Sequence, residues 1–105
     1  MKTQYALIWK GKEDPEAFQA RIPALMTWLR DRHAKGQLVA CGGGGYEVGD
    51  GGLTILDLNS PEEALAIMET YPMNDIGTME LLVWDVFYAD LVVKENEGKL
   101  LPPKL

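Results

Sequence analysis

The sequence predicts an α+β fold of ferredoxin-like β-α-β-β-α-β order, with a four-stranded antiparallel sheet carrying both helices on one face. Three observations predict it: alternating apolar stretches near the two ends of the chain, two capped helical segments between them, and a glycine-dense run in the middle. Strand, helix and strand therefore follow one another twice, and two right-handed crossovers of this kind interleave into a single sheet.

Residues 3–10 alternate, with Tyr5, Leu7 and Trp9 on one side and Ala6 and Ile8 on the other, which reads as a strand buried on both faces. Asp14 then serves as an N-cap, Pro15 takes the first helical position, and the acidic Glu16 suits the positive end of the helix dipole. Pro23 predicts an interruption, so the expectation is a short turn to about Arg21 and a main helix from about Pro23 to Lys35, ended by Gly36. Leu25, Trp28, Leu29 and Arg32 recur at helical spacing, Met26 widens the stripe, and Arg30, Asp31 and Lys35 face water.

Residues 37–42 form the second strand, and the run GGGGYEVGDGG that follows favours a hairpin. The third strand is expected from about Leu53 to Leu58. Ser60, Pro61 and Glu63 make a capping box ahead of the apolar Ala64, Leu65, Ile67 and Met68, and this second helix ends near Tyr71, at Pro72. Residues 78–89 alternate once more: Met79, Leu81, Val83 and Phe87 lie on one face, Leu82, Trp84, Val86 and Tyr88 on the other.

The chain has 105 residues, 47% of them apolar and 25% charged, which is the composition of one globular domain. That domain is assigned to residues 1–93, and residues 94–105, with Pro102 and Pro103, form a tail that is either loose or an arm lying on a neighbour. A net charge of −6 repels phosphate backbones and anionic lipid, so nucleic acid and membrane surfaces are not expected partners. The single cysteine, Cys41, has no partner for an internal disulfide, and the N-terminal stretch lacks the apolar core of a signal peptide; both readings point to the cytoplasm. The most apolar segment, Met79 to Val93, is broken by Glu80, Asp85 and Asp90, short of the roughly 18 residues a membrane helix needs. No histidine-carboxylate cluster has metal spacing, and the glycine run lacks the lysine and hydroxyl residue of a phosphate loop, so no metal or cofactor is expected.

With both helices on one face, the other face of the sheet is uncovered although the outer stretches are apolar on both sides. Four strands of about five residues offer a footprint of ~300 Å², worth at most ~8 kcal/mol at ~25 cal/mol/Å². No third layer is encoded, so the expected cover is a second copy, sheet against sheet, in a homodimer; the competing reading is a tolerated apolar patch.

The segments KGQLVACG, GLTILDLNSPEEALAIMETYP and PMNDIGTMEL resemble the dimeric α+β barrel superfamily. The first looks like YciI-related proteins, while Leu53 to Trp84 looks equally like muconolactone isomerases, and the similarity covers about four-fifths of the chain. The resemblance implies a dimeric barrel and proton-transfer chemistry on a small molecule. YciI-like proteins are usually described with an Asp-His pair whose histidine lies early in the first long helix; aligned on Gly36, that position is Leu25 here. Glu80 matches a glutamate in the final-strand motif of the isomerases.

Four residues are candidates for acid-base work: Asp57, Asp85, Glu80 and His33. His33 is the only histidine, the side-chain type suited to acid-base work at neutral pH, though a helix end favours histidine for its own sake. Asp57 and Asp85 interrupt apolar strands, where a carboxylate needs water or a partner; in a cavity it becomes a general base, at a strand end it is merely solvated. Tyr5, Trp9, Trp84 and Tyr88 are candidates for an aromatic pocket binding a planar or lactone-like ligand, with core or interface as the competing reading. Cys41 reads as a small hydrophobe rather than a nucleophile. Two functions follow: an isomerase or lyase of muconolactone isomerase or YciI-like type acting on a small organic acid or lactone, or a non-catalytic dimeric module binding a small apolar or aromatic metabolite or a companion protein.

Overall fold

A computed structural model describes residues 2–12, 14–46, 49–91, 93 and 94. Its elements are β1 (Lys2–Gly11), α1 (Pro15–Ala34), β2 (Leu38–Tyr46), β3 (Gly49–Leu56), α2 (Pro61–Met68), a 3-10 turn (Asn74–Ile76) and β4 (Gly77–Val86). The strands form one sheet in the order β2-β3-β1-β4, each pair antiparallel. This is the ferredoxin-like α+β fold expected.

Residues paired across antiparallel strands share a face, so the register assigns both sides of the sheet. Tyr5, Leu7 and Trp9 align with Leu56, Thr54 and Gly52 of β3 and with Val83, Leu81 and Met79 of β4. This is the helix side. Leu7, Leu56 and Met73 are its most deeply buried large side chains, and Trp28 and Leu29 of α1 join them. Trp9 stacks on Phe18 with centroids 6.0 Å apart, and Trp28 meets Tyr71 edge-on at 5.2 Å. The opposite side carries Gln4, Ala6 and Ile8 beside Ile55 and Leu53 and beside Trp84, Leu82 and Glu80.

The expected break at Pro23 does not occur: α1 runs unbroken from Pro15 to Ala34. A proline inside a helix removes one hydrogen bond and costs about 3 kcal/mol. Against that, Phe18, Ile22, Leu25, Met26 and Leu29 form one stripe on both sides of Pro23 and pack on the core. Each such side chain contributes about 1.5–3 kcal/mol when fully buried, so even partial burial of five holds the helix straight through. Thr27 Oγ1 also donates to the Pro23 carbonyl at 3.2 Å, and Arg21 Nη1 to that of Ala17 at 3.0 Å.

The central strands are longer than, or displaced from, their expected bounds because glycine carries no side-chain period to read. β2 continues through Gly42–Gly45 to Tyr46, and β3 starts at Gly49 and stops at Leu56 rather than Leu58. Glycine pairs with glycine at Gly43 and Gly52 and at Gly44 and Gly51, with a register shift between Leu38 and Ala40. The glycine run is therefore the hairpin itself. Gly36, at φ 71°, closes α1 in the left-handed region.

At α2, Ser60 Oγ accepts from the Glu63 N–H at 3.1 Å, as a cap should. The Glu63 carboxylate accepts instead from Asn59 Nδ2 at 3.2 Å, so the reciprocal half of the expected box is replaced by a side-chain contact. α2 stops at Met68, ahead of Tyr71, and its buried contact is Ala64, whose small side chain lets the helix lie close to the sheet. β4 leaves the sheet after Val86, and Phe87 and Tyr88 are 85% and 80% exposed.

One end of the sheet is tied across the chain. Trp9 Nε1 donates to the Met73 carbonyl at 3.0 Å, the Lys12 N–H to that of Ile76 at 2.9 Å, and the Arg21 guanidinium grips both oxygens of Asp75. That hydrogen-bonded grip holds the Asp75 carboxyl below its usual range. The tail expectation for residues 95–105 lies outside the described residues. No helix among the described residues is long and apolar enough to cross a membrane.

Candidate functional site

The uncovered side of the sheet carries an apolar patch at its centre. Val39, Leu53 and Leu82 each remain 45–49% exposed there, an arrangement that burial within the chain leaves incomplete. At the end where β1 begins and β4 stops, the surface deepens into a cleft of about 380 Å³. It is lined by Gln4, Ala40, Ile55 and Trp84 of the sheet, by Val39, and by Phe87, Tyr88, Ala89 and Leu91 where the chain departs from β4. Trp84 lies beside Gln4 across the β1–β4 pairing.

Lys2 stands at this cleft, and its Nζ lies 3.1 Å from Asp57 Oδ2. Both come from chain segments that alternate with buried neighbours: Lys2 shares a face with Gln4, and Asp57 follows the fully buried Leu56. The Asp57 N–H donates to the Gln37 carbonyl at 2.7 Å, which fixes the backbone that presents the carboxylate. Asp57 is thus the candidate base that is joined, by its ion pair, to a residue lining the cleft.

The other candidates are placed apart. Asp85 accepts from Thr3 Oγ1 at 2.7 Å, on the helix side of the sheet's edge. Glu80 pairs with Ile8 while Asp85 pairs with Thr3. Five residues along a strand separate their backbones by roughly 17 Å and put their side chains on opposite faces. His33 is buried in the last turn of α1. Among the aromatic candidates, Trp84 and Tyr88 line the cleft, whereas Tyr5 and Trp9 lie in the core beneath the helices. Leu25 is half-buried in α1 and packs on that same core.

On the helix side, Tyr71 reaches toward the glycine hairpin, where a side-chain carbon on Gly52 would lie 3.6 Å from its hydroxyl. Burial, reinforced by the nearby Cys41 sulfur, pushes the Tyr71 phenol up to about 12. Cys41 is largely exposed as a residue, yet partial burial of its sulfur pushes the thiol upward, away from the reactive thiolate. No group of three or more His, Cys, Asp or Glu among the described residues is arranged to hold a metal ion.

Lys2 is the functional candidate that sequence reasoning missed. A signal for it exists, because Lys2, Gln4 and Ala6 alternate opposite Tyr5 and Leu7. A lysine at a chain start has so many ordinary explanations that the pattern alone does not select it.

The family model for the YCII-related domain matches residues 3–86. Among solved structures, the 5-chloro-2-hydroxyhydroquinone dehydrochlorinase of Burkholderia phenoliruptrix AC1100, solved in complex with 2,5-dihydroxybenzoquinone, is similar at a TM-score of 0.55 and 20% identity. The match covers 77% of this chain and 93% of that one, and at this identity it speaks for the fold. No curated protein matches the chain.

Proposed function

The chain belongs to the YCII-related domain family, and from that premise we propose that it is a small-molecule enzyme of proton-transfer type, an isomerase or lyase acting on a small organic acid or lactone. The observation that carries this reading is the apolar cleft with the Lys2–Asp57 pair at its edge. Asp57 takes a proton from the carbon beside the substrate carbonyl, and the Lys2 ammonium stabilises the negative charge that develops on oxygen. Trp84 and Tyr88 hold the ring. The dehydrochlorinase, similar in fold, was solved with the one-ring compound 2,5-dihydroxybenzoquinone, which is in keeping with a ligand of one ring.

The working unit is a homodimer in the cytoplasm, its two apolar sheet faces packed together. A second copy over Leu53 and Leu82 encloses the cleft, excluding water and strengthening the electrostatic contact at its edge.

The test is exchange of solvent deuterium into muconolactone, followed by NMR. The wild type exchanges the proton beside the carbonyl, and Asp57→Asn slows this by about 10²-fold or more. Equal exchange by the variant and the wild type would falsify the assignment of Asp57.

A second reading is favoured by the dispersal of Asp85, Glu80 and His33 from the cleft. The chain is then a non-catalytic dimeric module that binds a small aromatic metabolite. Ligand binding lost on Trp84→Ala, with no deuterium exchange in any variant, distinguishes it.

A further inference from the structure

Lys2 is the one charged side chain among the described residues that line the cleft, in a chain whose net charge is −6. An anion approaching this protein is repelled in general and meets a cation here. The Lys2–Asp57 contact leaves the two side chains 63% and 42% exposed, and an ion pair so well hydrated is worth little and rearranges at small cost. An ammonium has three donors, of which the Asp57 contact engages one. It can therefore donate to a second oxygen without surrendering the first.

The remaining lining fixes the shape of what binds. Gln4 stands two residues from Lys2 on the same face of β1, roughly 7 Å along the strand, and Trp84 lies beside Gln4 on β4. Ile55 and Val39 close the apolar side. A flat ring resting on Trp84 thus shares its cleft with the Lys2 ammonium, carried on the neighbouring strand. The cleft's volume of about 380 Å³ lies at the low end of the range for ligand pockets, which suits one ring rather than a fused system.

We propose that Lys2 is the specificity-determining residue of this cleft and makes it selective for one-ring carboxylates, the carboxylate on Nζ and the ring on Trp84. The proposal rests on the reading of the cleft as a ligand site, and says in addition which ligands it prefers.

Benzoate and its neutral isostere benzamide, titrated against the full chain by NMR, supply the test. Wild type is expected to bind benzoate about tenfold more tightly than benzamide, the value of one partly screened charge-assisted hydrogen bond. The preference shrinks as salt is added. Lys2→Met keeps the aliphatic stem, weakens benzoate more than benzamide and so levels the two probes, while Trp84→Ala weakens both. Equal affinities in the wild type, or a preference that survives Lys2→Met, overturn the selectivity and leave the cleft as a site. If neither probe binds, or if Trp84→Ala changes nothing, the cleft reading falls as well.

Discussion

Replacing Gly77 by alanine tests how closely the first residue of β4 must approach the core. Gly77 has φ −170°, ordinary extended backbone, so its identity is set by space alone. A methyl group there would stand 2.4 Å from Trp9 Nε1 and 2.6 Å from both Trp9 Cε2 and the Lys10 carbonyl oxygen. The carbonyl belongs to the paired strand and cannot retreat without opening the sheet. The indole must move instead, and it is 2% exposed, stacked near Phe18 and bonded to the Met73 carbonyl. Overpacking costs about 1–3 kcal/mol, and an indole N–H drawn off its buried acceptor adds about 1–3 kcal/mol. The expected loss is roughly 3 kcal/mol, or a fall in Tm of roughly 12–24 °C for a domain of this size. Gly44→Ala is the matched control, since nothing lies within 4 Å of its added carbon, and relief of glycine's chain entropy makes it neutral or stabilising by up to about 1 kcal/mol. Urea titrations monitored by circular dichroism measure both. A Gly77→Ala protein within about 0.5 kcal/mol of wild type would refute the packing described for Trp9.

Three further outcomes are expected. The Tyr71 phenol is raised from 10 to about 12, so the unfolded chain ionises first, and the stability this group contributes is complete below pH 10 and disappears as pH rises to about 12. The loss approaches roughly 3 kcal/mol, and Tyr71→Phe removes that part of the alkaline slope in denaturant titrations. Pro23→Ala restores the missing hydrogen bond of an unbroken α1 and is expected to raise stability by about 2 kcal/mol, partly offset by a freer unfolded chain; no gain would mean that the helix is not continuous in solution. Leu82→Lys, on the uncovered face, converts the proposed dimer to monomer in sedimentation velocity while leaving the circular dichroism of the monomer intact.

The order of elements was legible because each rests on local chemistry: the alternation of Tyr5 to Trp9, the Asp14 and Ser60 caps, the left-handed Gly36. Pro23 misled because its local penalty is visible in sequence while the burial that outweighs it depends on the sheet beneath. Strand ends in the glycine run were unreadable for a simpler reason, since backbone pairing leaves no mark on a residue without a side chain. For the site, alternation separates Trp84 from Val83 but does not say which face the helices take. That choice depends on crossovers, and it divides the four aromatic candidates, placing Tyr5 and Trp9 in the core and Trp84 and Tyr88 at the cleft. The pairing of Lys2 with Asp57 spans 55 residues and is a product of the assembled sheet.

The two ends of that sheet are fastened unequally. Around Trp9, Lys12 and Arg21, long-range bonds to residues 73–76 combine a buried indole contact, a backbone bond and a bidentate grip. Around Lys2 and Thr3 the fastenings to Asp57 and Asp85 are exposed side-chain contacts. Amide hydrogens at the start of β1 and the end of β4 therefore exchange by local opening long before those beside Trp9, which wait for global unfolding. The cleft sits at the quick end, so a molecule can enter or leave it on the timescale of fraying, with the clasped end acting as a pivot. A bound ligand then registers as slowed exchange at those two strand ends and almost nowhere else.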